Sequence, residues 1–466
     1  MKKNLVFVLI AFVANIFNTA AQSAKVDPKS NFGDTFDAYI RQTMGKVPDI
    51  PGVAIVIIKD DKPIFVRAYG MADMESGRKA DTDTVFYIAS STKSFTALAA
   101  ALLDREGKIK LSDPITKYAA GLELKTSLPD KVTIRDLLTH TSGLRNEPLT
   151  FRLAYSGESE AQEMARVFAG ATKYDDAAFG KYRYDNLGYN IYGVLLRNYL
   201  KKDWQDLLDE KVFRPLGMKH TTAYFSRTLA KKWVAAEPYM IDGATGNIIR
   251  SPLKKTDNNM QSAGGIFTSI SDIGRWLEMN MNDGRLDGKQ VLPADVVRAV
   301  HTGYTQTTRD APPFSGNGQY GLGWQIGKYK NDKVIYHHGG FAGYRSHISF
   351  MPDKKIGIAV LVNNDFAGSR AADLFATYAY DSLNGIENLD ADYAKQLTDF
   401  VDSNAKAKQQ MQASAAQRAS RTSQLASALS EYVGRYKSEY LGTIDISEKD
   451  GNLLVKMGNI KVVPTP

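Results

Sequence analysis

The sequence predicts an α+β fold: one antiparallel β-sheet flanked by helices, a mostly α-helical domain inserted into it, and a small C-terminal β module. Three observations predict it. Val53–Lys59 and Pro63–Tyr69 read as two strands around the turn Asp60-Asp61-Lys62. Strand character then lapses over about 90–300, where helical patterns dominate, and returns over Gly323–Gly327, Lys333–His337, Tyr344–Met351 and Ile356–Asn363. A last group of short strands, Tyr432–Val463, is punctuated by Gly434, Gly442, Gly451 and Gly458. The economical arrangement builds one sheet from about 50–70 and 320–365 and leaves the helical region as an insertion.

Taken in order, the chain opens with the pattern of a secretory signal peptide over residues 1–21. Lys2 and Lys3 precede the apolar run Leu5–Phe17, and Thr19-Ala20-Ala21 supplies a small-residue cleavage site. The run is too short to anchor stably in a bilayer, and without cysteine there is no lipid attachment point. The expected location is therefore periplasmic or secreted, with no stable membrane anchor. Thr35–Met44 follows as a helix. Thr133-Ile134-Arg135-Asp136 and Ser269-Ile270-Ser271-Asp272 have capping-box spacing ahead of apolar runs, so each is expected to open a helix. Arg370–Leu383 is a closing helix, which makes 33–385 the main unit. Residues 386–430 read as a polar helical spacer and 431–466 as a partial β module, too small to stand alone unless it docks.

Composition narrows the chemistry. With 466 residues, 43% hydrophobic and 24% charged, the chain can fill a large core and is not disordered in composition. The absence of cysteine excludes disulfide frameworks, thiolate metal sites and thiol nucleophiles. Of the net charge of +8, Lys2 and Lys3 leave with the leader, and Lys406, Lys408, Arg418 and Arg421 lie in one acid-free stretch without aromatics. That is a solvated helix face rather than a nucleic-acid groove.

Three short motifs can carry chemistry. Ser90-Ser91-Thr92-Lys93 follows an apolar strand-like segment and opens a helix bearing Phe95, Leu98, Leu102 and Leu103, so Ser90 and Lys93 share one face a turn apart. Read alone, the same residues describe a serine N-cap and a surface lysine. Ser251-Pro252-Leu253-Lys254 and Ser403-Asn404-Ala405-Lys406 repeat the spacing in a loop and in the spacer. A serine nucleophile needs a neighbouring base, and a lysine serves only if burial or another cation keeps it partly neutral. Tyr184-Asp185-Asn186 precedes the apolar helix Leu187–Tyr199 and brings a second potential base in Tyr184 and an amide in Asn186. Tyr336-His337-His338-Gly339-Gly340-Phe341 ends a predicted strand. Adjacent strand residues face opposite sides, so the two histidines do not converge on an ion; no metal and no cofactor is expected. Gly316-Asn317-Gly318-Gln319-Tyr320-Gly321 matches a dinucleotide fingerprint but leads into a strand, and no Gly-x-Ser-x-Gly elbow occurs.

In this order, Ser90-x-x-Lys93, Tyr184-x-Asn186 and His338-Gly339-Gly340 resemble the three motifs of the serine β-lactamase and penicillin-binding superfamily. The tyrosine places the resemblance in the branch of class C β-lactamases, D-alanyl-D-alanine carboxypeptidases, D-aminopeptidases and esterases. Leu137–Leu144, Pro215–Met218, Ala263–Gly265 and Tyr320–Trp324 support it. The resemblance implies a cleft between sheet and helical domain, with Ser90 as acylated nucleophile and Lys93 and Tyr184 sharing general-base work. Asn186, His338 and Gly340 would contact substrate, and the backbone N–H groups of Ser90 and Phe341 would form the oxyanion hole. It implies an exported serine hydrolase acting on small esters, D-amino-acid amides or peptides, including peptidoglycan peptides. Alternatives are a carboxypeptidase, a class C-type β-lactamase, an acyltransferase to an alcohol, or a non-catalytic binder of cell-wall peptides. Where class C enzymes usually carry Lys-Thr-Gly, a histidine and two glycines offer no fixed cation, so anionic β-lactams are expected to be recognised weakly.

Overall fold

Strand β1 (Gly52–Lys59) turns back directly into β2 (Lys62–Asp73), with Val53 opposite Tyr69 and Lys59 opposite Lys62. Asp60 and Asp61 both take positive φ, 47° and 67°, the hand of turn that matches strand twist. The computed structural model describes residues 28–157, 160–307, 312–421 and 425–464; the expected leader, 1–21, lies outside them. β3 (Arg78–Lys79) extends the sheet beyond β2. The other strands come from the far end of the chain: β4 (Thr305–Gln306), β5 (Ser315–Tyr320), β6 (Gln325–Tyr329), β7 (Asp332–Phe341), β8 (Tyr344–Met351) and β9 (Ile356–Val362). The nine strands run in the order β4-β5-β6-β7-β8-β9-β1-β2-β3, all pairs antiparallel, and the sheet is joined where Val53 of β1 meets Val362 of β9.

The sheet is covered on both faces, which is why β1 reads as an unbroken apolar run instead of alternating. Ala54, Val56 and Ile58 enter one core; Val53, Ile55 and Ile57 enter the other. The first core belongs to the helical domain and includes α2 (Thr92–Arg105), α3 (Leu187–Leu200) and α4 (Ile270–Met281). The second is built by α1 (Pro28–Lys46), α5 (Gly368–Leu383) and α6 (Leu389–Ala419), with Tyr39 stacked on Tyr378 at 4.4 Å between centroids. The expected α+β architecture is thus the observed one.

Particular elements differ from expectation for local reasons. Both anticipated caps form: Thr133 Oγ1 accepts the Asp136 amide at 3.3 Å while the Asp136 carboxylate accepts the Thr133 amide at 2.9 Å, and Ser269 Oγ accepts the Asp272 amide at 3.2 Å. Asp272 does not close the second box, because its carboxylate takes the amides of Lys219 and His220. β7 runs four residues past its expected end, since Gly339 and Gly340 stay paired with Ser346 and Arg345 of β8. The helical region also holds a three-stranded ribbon of Val85–Tyr87, Phe267–Ser269 and Thr221–Thr222, too short to leave a period in the sequence.

The spacer is no free linker. Tyr393, Leu397 and Phe400, at i, i+4 and i+7 of α6, are buried against α1 and α5, and Lys408 pairs with Asp49 at 2.6 Å. The terminal strands β10 (Gly434–Ser438), β11 (Gly442–Lys449), β12 (Asn452–Met457) and β13 (Ile460–Val462) form an antiparallel sheet. It docks on the helical domain: Arg152 Nη1 donates to the Tyr440 carbonyl at 3.1 Å, the Asn459 amide donates to the Ser156 carbonyl at 2.8 Å, and Lys125 pairs with Glu439 at 2.8 Å.

Candidate active site

Ser90 lies in the one-turn 3₁₀ segment Ala89–Ser91, between the ribbon strand Val85–Tyr87 and α2. Ala89 is held at φ 45°, a left-handed conformation costly for a residue with a Cβ, and this sharp entry sets Ser90 at the head of the helix. One turn on, Lys93 is completely buried. Its Nζ is 3.2 Å from Ser90 Oγ, 2.8 Å from Asn186 Oδ1 and 2.8 Å from the Ala263 carbonyl. No carboxylate lies within ion-pair distance among the described residues, and burial pulls the ammonium down from 10.5 to about 7. This decides what the bonds mean. Asn186 Oδ1 and the Ala263 carbonyl only accept, so they hold two of the Nζ hydrogens, and the third position faces Ser90 Oγ, as an N–H in the ammonium and as the lone pair in the neutral amine.

Tyr184 enters from the loop before α3 and shares the cleft with Ser90. Its ring stands 5.1 Å from Lys93 Nζ. The side chain is 41% exposed as a whole, but desolvation of its hydroxyl end pushes the phenol upward, Ser90 beside it draws it down, and the balance lies above its ordinary value. At neutral pH Tyr184 is therefore a protonated partner of Ser90, and Lys93 is the group able to take a proton. Asn186, expected to face substrate, spends its oxygen on Lys93, with its Nδ2 turned to Met260 Sδ at 4.0 Å.

The third motif is sorted by strand phase. β7 is paired through Tyr336 to β6, but beyond that no strand among the described residues pairs with its outer edge along His337–Gly340. His337, Gly339 and Phe341 point to the helical domain, and a Cβ on Gly339 would stand 2.0 Å from the Ile88 carbonyl, so only glycine lets the strand approach the serine turn this closely. His337 is buried beside Tyr184, with ring centroids 6.2 Å apart. Its Nδ1 donates to the His338 carbonyl at 2.7 Å, so Nε2 is the acceptor facing the Tyr320 hydroxyl at 3.3 Å. Burial, then Lys93, holds this imidazole down near about 3, hence neutral. His338 points to the other face, toward His347 and Asp373, and meets the cleft only along its rim.

Phe341 is likewise displaced from the role expected of it. The two-residue turn Ala342-Gly343 closes on the pair Phe341–Tyr344, and such a pair exchanges both backbone hydrogen bonds. The Phe341 amide is therefore turned to β8, and the amide that faces the free edge is that of Gly340. The Phe341 ring instead packs on Tyr87 at 5.5 Å. His337 was missed because His-His-Gly-Gly fits a His-x-Gly pattern in two registers. The close approach demanded at Gly339 is the signal that selects the one led by His337.

Ser90, Tyr184, His337, Gly339 and Gly340 line a cleft of about 650 Å³, with Thr307, Gln325, Arg345 and Ser369 on its far wall. Arg345 bonds Ser369 Oγ through Nε at 2.9 Å and the carbonyls of Phe341 and Tyr344 through Nη1, with no acidic partner within ion-pair distance among the described residues. His140, at φ 61° in the segment expected to support the site, packs between Tyr184 and Tyr320.

Comparison with known proteins bears on the family and the fold. The Beta-lactamase family model matches residues 36–380. An unguisins hydrolase of Aspergillus violaceofuscus is 25% identical over 382 residues, covering 76% of this chain and 66% of that protein. The penicillin-binding protein homologue of Pyrococcus abyssi, an octamer, superposes with a TM-score of 0.63 at 22% identity, covering 92% of this chain and 89% of that one. The D-amino acid amidase of Ochrobactrum anthropi SV3 does so with 0.58 at 20% identity, covering 80% and 99%. The chain spans about 60 to 66% of the length of the curated relatives it matches.

Proposed function

The chain belongs to the beta-lactamase family, and from that premise we propose that it is an exported serine hydrolase working through an acyl-enzyme on Ser90. One observation carries the reading: a fully buried lysine amine, neutral in part at pH 7, stands 3.2 Å from Ser90 Oγ, where its neutral form can accept the hydroxyl proton. In the proposed reaction Lys93 takes the hydroxyl proton as Ser90 attacks a carbonyl, and Tyr184 passes a proton to the leaving group. The developing oxyanion is met by the amides of Ser90 and Gly340, each such donor typically worth about 3–4 kcal/mol in the transition state. Water then releases the acyl group.

For the acyl donor, we favour small neutral esters and amides, including D-amino-acid amides and peptides; similarity to an amidase and to a hydrolase supports that class. His337 is neutral where a fixed cation would hold a substrate carboxylate, and Arg345 already spends three of its hydrogen bonds on the wall. The test is labelling with a serine-reactive fluorophosphonate followed by intact mass. One adduct on the wild type and none on Ser90→Ala is expected. A folded wild type that takes no adduct defeats the proposal in favour of a non-catalytic binder. Turnover of a chromogenic cephalosporin as fast as the best neutral ester defeats the substrate preference. Export is checked by the N-terminus of protein recovered from periplasm and medium, expected near Gln22.

A further inference from the structure

Behind the cleft, on the sheet face away from Ser90, β7 and β8 place His338 directly opposite His347. Counting from the hydrogen-bonded pair Phe341–Tyr344, this is a non-hydrogen-bonded pair, the kind whose side chains stand closest. Asp373, from the second turn of α5, lies over them. His338 Nε2 is 3.1 Å from His347 Nδ1 and 3.1 Å from Asp373 Oδ1, and His347 Nδ1 is 2.7 Å from the same oxygen. Two nitrogens and one oxygen thus form a nearly equilateral triangle.

We propose that His338, His347 and Asp373 are the protein ligands of a divalent first-row metal cation, of the zinc, cobalt or manganese kind, that ties β7, β8 and α5 together behind the catalytic cleft. A cation about 2.1 Å from all three atoms would see them at angles of about 95°, 95° and 80°, close to one face of an octahedron. The second sphere fits as well. His347 Nε2 is 2.7 Å from Ser349 Oγ, which is 2.8 Å from the Tyr380 hydroxyl, so a His347 that gives Nδ1 to a metal keeps its other N–H on a fixed acceptor. Asp373 meets only the two imidazoles, with no lysine or arginine within ion-pair distance among the described residues. Arg345 and Arg370 of the same wall are engaged with Ser369 and Ser403. Without a cation, the two imidazole nitrogens must share hydrogens with each other and with one Asp373 oxygen, all three atoms lying within 3.1 Å of one another. His347 is sealed, whereas His338 and Asp373 are 32% and 26% exposed, which leaves the remaining coordination positions to water.

The site does not depend on the hydrolase reading, so it is measured on both the wild type and Ser90→Ala. Untagged mature protein, stripped with chelator, is equilibrated with micromolar Zn²⁺ or Co²⁺ and assayed for bound metal, for the cobalt d–d absorption and for melting temperature. About one equivalent per chain is expected for both proteins, with a raised melting temperature. Asp373→Asn and the half-exposed His338→Gln should each weaken binding at least tenfold while remaining folded without metal. Less than about a tenth of an equivalent on the folded wild type overturns the proposal, leaving a hydrogen-bonded imidazole pair on a carboxylate. Undiminished binding by both variants overturns it too, by placing the metal elsewhere.

Discussion

Replacing Lys93 by methionine should silence the protein and remove one pH-dependent contribution from its stability. Lys93 is completely buried, and its ammonium falls from 10.5 to about 7 on folding because burial disfavours the charge. At pH 7 and below, that difference opposes folding by about 5 kcal/mol, taking about 1.4 kcal/mol per unit. Methionine fills nearly the same volume without charge, but it leaves Asn186 Oδ1 and the Ala263 carbonyl without their donor, at about 1–3 kcal/mol each. On these terms the net at pH 7 runs from a loss of about 1 to a gain of about 3 kcal/mol, a small change of either sign. The pH dependence is a sharper signature. Between pH 7 and 10 the unfolded wild type holds a proton on Lys93 that the folded protein has released, so wild-type stability rises with pH, whereas Lys93→Met lacks this contribution. The wild type should therefore gain on the variant by about 1.4 kcal/mol per pH unit over that window. Urea denaturation of both proteins at pH 7, 8 and 9 measures it. A difference that stays constant across those three values would refute a lysine held neutral by burial.

Two further substitutions probe the same machinery. Tyr184→Phe should lower kcat about 10²–10⁴-fold, the usual contribution of a positioned proton donor, with little change in stability because the residue is 41% exposed; in both proteins kcat/KM should climb as pH rises through about 7, the Lys93 limb, and a profile flat from pH 6 to 8 would count against Lys93 as base. Gly339→Ala drives a Cβ to within 2.0 Å of the Ile88 carbonyl, and the strand must retreat from the serine turn; a destabilisation of about 1–3 kcal/mol with loss of fluorophosphonate labelling is expected, and a fully active variant would disprove the close packing.

The two halves of the sheet were legible because β1 and β9 are long apolar runs bounded by turn residues, and a sheet covered on both faces leaves that trace whatever lies between its strands. Ser90, Lys93 and Tyr184 were legible through spacing, since a serine and a lysine one turn apart at a helix entry meet without help from the rest of the chain. The third motif was legible only to within one residue. A strand reverses its facing at every step, so choosing His337 over His338 needs the phase of β7 against the Ile88 turn, a contact between residues some 250 positions apart. The partly neutral state of Lys93 was foreseen as a requirement, but its cause, burial that outweighs the pull of Asp185, exists only after α2, α3 and the Ala263 loop have closed on it. The pairing of His338 with His347 lay outside an argument about neighbours along one strand, because they meet across two.

The seam between β1 and β9 also sets a timetable for the chain. Until Ile356–Val362 has emerged, the edge of β1 that it will occupy is bare, and the segment waiting there is Val53-Ala54-Ile55-Val56-Ile57-Ile58. An uncharged, β-branched strand with an unpaired edge is the kind that recruits copies of itself. For some three hundred residues of synthesis, this polypeptide carries its most adhesive segment without the partner that will mask it. The Ser90 turn and α2 are made early in that interval, yet the wall they face is made last. No fragment ending before residue 362 contains a whole cleft, so the protein is silent until nearly all of its sheet exists, and whatever holds the growing chain unfolded protects β1 first.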